Sequence, residues 1–289
     1  MIRIATRNSA LALAQARLVA DLLGGAELIE VSSNGELGDK GRFVRGVEGA
    51  LLAGEAEIGV HSAKDVPAEI PDGLTIAAVP EREDAADVWV GAGTSLDEVP
   101  EGARVGTASL RRRAQLLAAR PDVRVEELHG NVDTRLHKLA EGDLDGIVLA
   151  AAGLRRLGRD GEAAFPIPAE VMIPAAGQGA LVLQARGDDP SSLQAAAVIG
   201  EATALRELTA ERTVVALLEA TCASPIGVHA SVDGGRIEVE AFVGLPDGSE
   251  WVRDRVEGDA EDPAAAGAQL AERLSAAGAR DILDRAEAM

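Results

Sequence analysis

The chain has 289 residues and a formal net charge of −20, and its composition is 47% hydrophobic but only 2% aromatic. A chain this acidic is excluded from wrapping nucleic acid or lying on an anionic membrane, and aliphatic side chains must fill its core, in two or three domains at this length. Cys222 is the only cysteine, which excludes an intramolecular disulfide and a thiolate zinc cluster.

The first residues do not have the form of a signal peptide. Their apolar positions recur at helical spacing and are interrupted by Arg3, Arg7, Asn8, Gln15 and Arg17. Ile2 to Ala5 reads as a short strand. Ser9 caps a helix that runs to Gly24-Gly25, with Leu11, Ala14, Leu18 and Leu22 on one face. Leu28 to Val31 is a second strand, and the polar, glycine-rich run from Ser32 to Gly41 reads as a mobile loop. Phe43, Val47, Ala50 and Leu51 follow at helical spacing. Ile58 to Val60 is a buried strand that opens into His61-Ser62-Ala63-Lys64-Asp65. Strands are expected at 74–79, 87–91, 104–106, 123–128 and 145–151, with helices at 109–119 and 131–141. This alternation with short links implies an α/β class with parallel sheets, whose ligands sit on loops at the carboxyl ends of strands. After about residue 202 the pattern changes. A helix over 203–219 leads to Cys222, and strands near 226–232, 236–243 and 250–256 precede one or two final helices, a small α+β domain.

No stretch approaches the roughly 20 apolar residues of a membrane span, so a soluble cytoplasmic protein is expected. His61, His129, His137 and His229 show no HxxxH or HExxH spacing, and no metal site is expected. The lysine-poor, acidic composition fits either a salt-loving source or a GC-rich genome.

Positive charge is concentrated in the middle. Residues 104–156 hold nine arginines and Lys138 against seven acids, whereas the stretch from 230 onward holds six arginines against fourteen acids. Gly106-Thr107-Ala108-Ser109 ends a strand and starts a helix, so its hydroxyls and free N–H groups suit an anion. Arg111, Arg112 and Arg113 stand in that helix's first turn, where the dipole disfavours cations, so something negative should lie opposite. Arg135 follows a second loop, Gly130-Asn131, and Arg155 and Arg156 follow a third, Ala152-Gly153. Arginine's planar fork suits carboxylates. The plainer reading is surface arginines paired with Glu126, Glu127 or Asp145.

The order of motifs resembles the porphobilinogen deaminase family over nearly the whole chain. The matching stretches are Ile4-Ala5-Thr6-Arg7 with Ser9 and Gln15, Val60 to Pro67, Glu81-Arg82-Glu83-Asp84, Val105 to Arg112, Gly130 to Leu136, Ala152 to Leu157, Pro174 to Ala180, and Cys222 to Gly227. The resemblance implies two α/β domains like those of periplasmic binding proteins and a small C-terminal α+β domain. Their expected bounds are 1–82 with 178–200, 83–177, and 201–289.

It also implies a dipyrromethane cofactor, held as a thioether on Cys222, onto which four porphobilinogens are condensed with loss of ammonia. Asp65 matches the catalytic aspartate and Lys64 its neighbour. Lys64, Thr107, Ser109, Arg111, Arg112, His129, Arg135 and Gly153 match positions that hold the cofactor. Arg7, Ser9, Gln15 and Arg156 match substrate-binding positions, and Lys40 and Phe43 the lid. No nucleic acid or membrane partner is implied, and a monomer is expected. The chain departs from the family pattern at four places. His129 stands for an arginine, Glu36 for a loop lysine, Gly46 for an acidic residue, and Ala220-Thr221 for a glycine pair. Two further readings stay open. A non-enzymatic binding protein would need neither Cys222 nor Asp65, and a deaminase that binds pyrroles without completing the tetramer would fit His129 and Glu36.

Overall fold

The computed structural model describes residues 1–32 and 42–289, with the backbone alone at 42 and 43. Lys40, Glu36 and all but Ser32 of the expected mobile loop lie outside the described residues. So does the Phe43 side chain, although its backbone opens a helix.

Strands and helices alternate from the start: β1 (Arg3–Arg7), α1 (Ala10–Leu22), β2 (Glu27–Val31), α2 (Arg42–Leu52), β3 (Ile58–Ser62) and β4 (Leu74–Ala78). The middle of the chain gives β5 (Asp87–Gly91), β6 (Arg104–Gly106), α3 (Leu110–Ala119), β7 (Arg124–Glu126), α4 (Val132–Ala140), β8 (Gly146–Ala150), α5 (Ala151–Arg156) and β9 (Phe165–Pro166). The chain then forms β10 (Leu181–Arg186) and α6 (Pro190–Ala197). It ends with α7 (Ala202–Leu217), β11 (Ile226–Asp233), β12 (Arg236–Gly244), β13 (Trp251–Asp259), α8 (Pro263–Ala276) and α9 (Ala279–Glu287).

The strands form three sheets, in the orders β2-β1-β3-β10-β4, β7-β6-β8-β5-β9 and β11-β12-β13. The α/β class with a small C-terminal α+β sheet is as expected, but the first two sheets are mixed rather than parallel. β10 runs antiparallel to β3 and β4, and β5 runs antiparallel to β8 and β9. The reason is the double crossing of the chain, which leaves the first sheet after β4 and returns to it as β10. The run Leu181-Val182-Leu183-Gln184-Ala185-Arg186 has five buried positions and no alternation, so periodicity gave β10 no signal. The expected loop at Ala152-Gly153 is instead the start of α5, which follows β8 without a link.

Aliphatic side chains fill each core, as the composition requires. Ile4, Val19, Ile58, Leu181 and Leu183 meet under the first sheet. Val228, Val239, Leu270 and Leu274 meet under the third. In the second sheet Trp89 stacks on Phe165.

The two crossovers touch. The Glu83 N–H donates to the Gly179 carbonyl at 3.2 Å, and a Cβ on Gly179 would lie 2.1 Å from the Glu83 carbonyl oxygen. Gly179 also has φ 86°, so only glycine fits that close approach without strain. Glu211 of α7, fully buried, binds both crossovers to the third sheet. It accepts from Arg82 at 2.7 and 3.2 Å, from Gly177 N at 2.6 Å and from Ala230 N at 2.8 Å. Burial opposes its ionisation, but Arg82 and His229 outweigh it and hold the Glu211 carboxyl below its ordinary range.

Candidate active site

In the first sheet β1, β2 and β3 are parallel, and in the second β6, β7 and β8 are parallel. Parallel neighbours end together, so each sheet presents a row of carboxyl ends followed by helix N-termini. Most of the residues singled out in the sequence stand on these two rows. Arg7 ends β1, and Ser9 caps α1, its Oγ accepting from Ala12 N at 3.3 Å. Lys64 and Asp65 lie in the single 3-10 turn after β3. Gln15 is buried one turn into α1.

Opposite them, Thr107 and Ser109 link β6 to α3. Thr107 Oγ1 accepts from Ser109 N at 3.1 Å, and Ser109 Oγ caps α3 by accepting from Arg112 N at 3.5 Å. Both hydroxyls spend an acceptor on the backbone and keep their O–H to donate. Asn131 caps α4 and Arg135 is in its first turn, with Nε donating to Gly130 O at 2.9 Å. Gly153 is in α5. A Cβ there would come no nearer than 3.9 Å to Leu11 of α1 and Val132 of α4, so it lies where the two rows approach.

At the centre is a residue to which the sequence drew no notice. Asp87, fully buried at the start of β5, is the negative group opposite the first turn of α3. Its Oδ2 accepts from Arg111 at 2.6 Å, and its Oδ1 accepts from Arg112 Nε at 2.9 Å. A second Arg112 nitrogen lies 2.7 Å from Oδ1. Burial alone would raise the Asp87 pKa, but Arg111 and Arg112 reverse this and hold it well below the carboxylate range.

Both arginines are themselves buried and reach further. Arg111 donates to Ile173 O and Arg112 to Val148 O, each at 2.8 Å. Gln178, fully buried on the return crossover, donates to Ala85 O at 2.6 Å and to Asp87 at 3.1 Å. Its Oε1 faces Lys64 Nζ at 3.4 Å and Arg111 at 3.5 Å. Gln178 thus joins the Lys64 turn of the first sheet to the arginine helix of the second. It sits in a motif that the sequence displayed, but nothing in its residue type disclosed this bridge.

The charge in this cluster does not balance. Arg111, Arg112 and Lys64 converge on one buried carboxylate, Asp87, with Asp65 beside Lys64. Burial and the neighbouring Arg112 lower the Lys64 pKa to about 8. Burial and Arg112 likewise lower Arg135 to about 10, and among the described residues no carboxylate pairs with it. Arg156 donates to Gly179 O at 2.6 Å, yet its buried Nε has no partner. Cations held out of water without counter-charges need an anionic ligand to complete them. Propionate and acetate carboxylates would meet that need, so these residues fit a dipyrromethane.

Two other residues stand apart. His129 is exposed and bonds Glu127 at 2.7 Å, so the structure does not bring its side chain into the buried cluster. Arg155 is exposed and bonds Glu83 at 2.7 Å and Asp84 at 2.9 Å, across the first crossover. Gly46 has a packing reason for departing from an acidic residue, because a Cβ there would lie 2.8 Å from the Ser32 carbonyl oxygen.

Cys222 is exposed in the loop between α7 and β11. Thr221 N donates to Ser224 Oγ at 2.9 Å and Ala223 N to Thr221 Oγ1 at 3.2 Å, which shape that loop. β11 then packs on the segment that carries Ile173. Val228 N donates to Pro174 O at 2.9 Å, and a Cβ on Gly227 would lie 2.6 Å from Ile173 O. The cysteine loop is therefore anchored to the same strip of chain whose carbonyl takes Arg111.

The family model described as "Porphobilinogen deaminase, dipyromethane cofactor binding domain" matches residues 2–194, and that described as "Porphobilinogen deaminase, C-terminal domain" matches residues 205–276. A porphobilinogen deaminase of Brevibacillus brevis is 43% identical over 97% of this chain and 96% of its own length. One of Thiobacillus denitrificans is 44% identical over 98% of each chain. Among solved structures, the putative sulfonate-binding protein SsuA of Methylobacillus flagellatus aligns at 15% identity and a TM-score of 0.38, over 70% of this chain and 66% of that one.

Proposed function

The chain belongs to the porphobilinogen deaminase family, and we propose that it is a transferase of tetrapyrrole biosynthesis that joins four porphobilinogens head to tail into hydroxymethylbilane on a dipyrromethane held by Cys222 as a thioether. The observation that carries this reading is the uncompensated positive charge where the two rows of strand ends face each other. Three buried or half-buried cations converge on Asp87, and Arg135 and Arg156 stand nearby without carboxylate partners among the described residues. We assign residues 1–82 with 178–200, 83–177 and 201–289 to three domains of a cytoplasmic monomer.

Bound dipyrromethane supplies a pyrrole whose free α-carbon is the nucleophile. Lys64, Thr107, Ser109, Arg111, Arg112 and Arg135 hold its carboxylates, with Gly153 leaving room beside them. His129 contributes at most through its exposed imidazole. Arg7, Ser9, Gln15 and Arg156 take the carboxylates of incoming porphobilinogen. Asp65 faces the aminomethyl group. When ammonia leaves, the methylene-pyrrole of porphobilinogen becomes electron-poor, and the Asp65 carboxylate stabilises that charge and the adjacent pyrrole N–H. After the new carbon–carbon bond forms, Asp65 takes up the proton that the attacked carbon releases. Lys64 stands next to Asp65 in the same turn and fixes the position of that carboxylate.

The intact mass of the purified protein tests the assignment. An excess of one dipyrromethane, absent from a Cys222→Ser variant, and conversion of porphobilinogen to hydroxymethylbilane are expected. A bare mass that persists after incubation with porphobilinogen and hydroxymethylbilane would remove the covalent primer from this account.

A further inference from the structure

Behind the Lys64–Asp65 turn lies a second buried polar group that the site above does not use. His61 is on β3, three residues before Lys64, and only 5% of it is exposed. Its Nε2 is buried and has no hydrogen-bond partner. Gln184 is on the neighbouring β10, fully buried, and its Oε1 is also buried without a partner. Two orphaned polar atoms in one core cost more than either would if satisfied.

The sheet register places them together. β10 pairs with β3 so that Val182 faces His61 and Gln184 faces Gly59. Residues 61 and 184 are therefore diagonal neighbours on one face, within reach of long side chains. That face is covered by α2. A Cβ on Gly59 would lie 2.6 Å from Val47 of α2 and 3.3 Å from His61 Nε2, so the ring leans over the glycine toward the helix. The Gln184 amide is oriented from the other side. Its Nε2 donates to Glu48 Oε1 of α2 at 3.1 Å. A carboxylate only accepts, so the amide nitrogen must face Glu48 and the amide oxygen must face away. That oxygen needs a donor, and His61 Nε2, diagonal to it on the same face of the sheet, can supply one.

We propose that His61 is a positioning residue, an Nε2–H imidazole that donates to Gln184 Oε1 with at most one enclosed water between them, and so ties the end of β3 to α2 through Glu48. The inference rests on the deaminase reading of the turn that follows β3. Its consequence is that Lys64 and Asp65 are held in register with α2. Burial also keeps the imidazole neutral, lowering its pKa to about 4, with Arg7 adding to the effect. Arg7 stands beside it at the end of the adjacent parallel strand β1. A neutral ring lets two cations of the site, Arg7 and Lys64, sit near it without a third.

The wild-type holoenzyme gives the first test, with no variant required. Nitrogen-15 NMR of its four histidines should show one that stays neutral from pH 8 to pH 5, with the proton on Nε2 and slow exchange with solvent. A His61 that titrates near 6.5, or that carries its proton on Nδ1, overturns the proposal. Kinetics give the second. His61→Phe and Gln184→Leu should each lower kcat about tenfold while changing KM for porphobilinogen less than threefold, because Asp65 acts in the chemical step, and the double variant should be no worse than the weaker single. Additive effects, or an unchanged kcat beside an active wild type, overturn the inference and leave the deaminase reading intact. An inactive wild type would instead strike at the deaminase reading, while the tautomer test would still decide this one.

Discussion

Replacing Asp87 by Asn keeps the side-chain shape and removes one negative charge from the centre of the cluster. Oδ1 receives Arg112 and Gln178, at 2.9 and 3.1 Å, so the amide oxygen of the variant will take that position. The amide nitrogen then faces Arg111 across the 2.6 Å now spanned by a charged hydrogen bond, donor against donor. Removing one partner of a buried ion pair costs about 3–5 kcal/mol. Arg111 retains Ile173 O at 2.8 Å, which places the Asn variant near the lower end, at about 3 kcal/mol. At about 2–4 °C per kcal/mol for a chain of this size class, the primer-free protein should melt about 6–12 °C lower. Carboxylates of a bound primer would supply the missing negative charge, so the loss should shrink in primer-loaded protein. Differential scanning calorimetry of both forms measures this. A primer-free Asn variant that melts within about 2 °C of wild type would refute the claim that Asp87 compensates the arginines, and an equal loss in both forms would refute the claim that an anionic ligand faces them.

Arg135→Gln should cut primer loading, read by intact mass, while the primer-free protein melts no lower than wild type, because a half-buried cation without a carboxylate partner is removed. Glu211→Gln should cost about 3–5 kcal/mol in denaturant unfolding, since Arg82 and two backbone N–H groups share that carboxylate. Arg206→Ala, which breaks an exposed pair with Glu261, should cost less than about 1 kcal/mol in the same assay. The His61 pKa lies at about 4 in the folded chain against the ordinary 6.5. Between those values the unfolded chain binds a proton that the folded chain refuses, so stability falls as pH falls from 6.5 to 4, by about 3 kcal/mol in all. Urea unfolding across that range should lose about one proton's worth of slope in His61→Phe; an unchanged slope would place the acid sensitivity elsewhere. Asp87 adds a further loss only at lower pH, because its depressed pKa keeps its contribution intact above about pH 4.

Local chemistry determined much of this molecule before any packing was known. Ser9 and Ser109 announce helix starts because a hydroxyl can satisfy an orphan N–H three residues on, and both caps are present. Alternating strand and helix periods gave β5 and β6 at their observed ends, and the composition gave an aliphatic core. The arginines of α3, set against the helix dipole, called for a negative neighbour. Its identity could not be read, because Asp87 lies 24 residues from Arg111 and is brought to it only by the pairing of β5 with β8. The same is true of Gln178, which reaches Lys64 across 114 residues. The mixed sheets were hidden for a related reason. β10 is buried at five successive positions without alternation, and its direction depends on where the chain re-enters the first sheet. Periodicity reports which face of an element meets a core, whereas strand direction, buried counter-charges and the contact of the two crossovers arise only when distant segments compete for the same low-dielectric space.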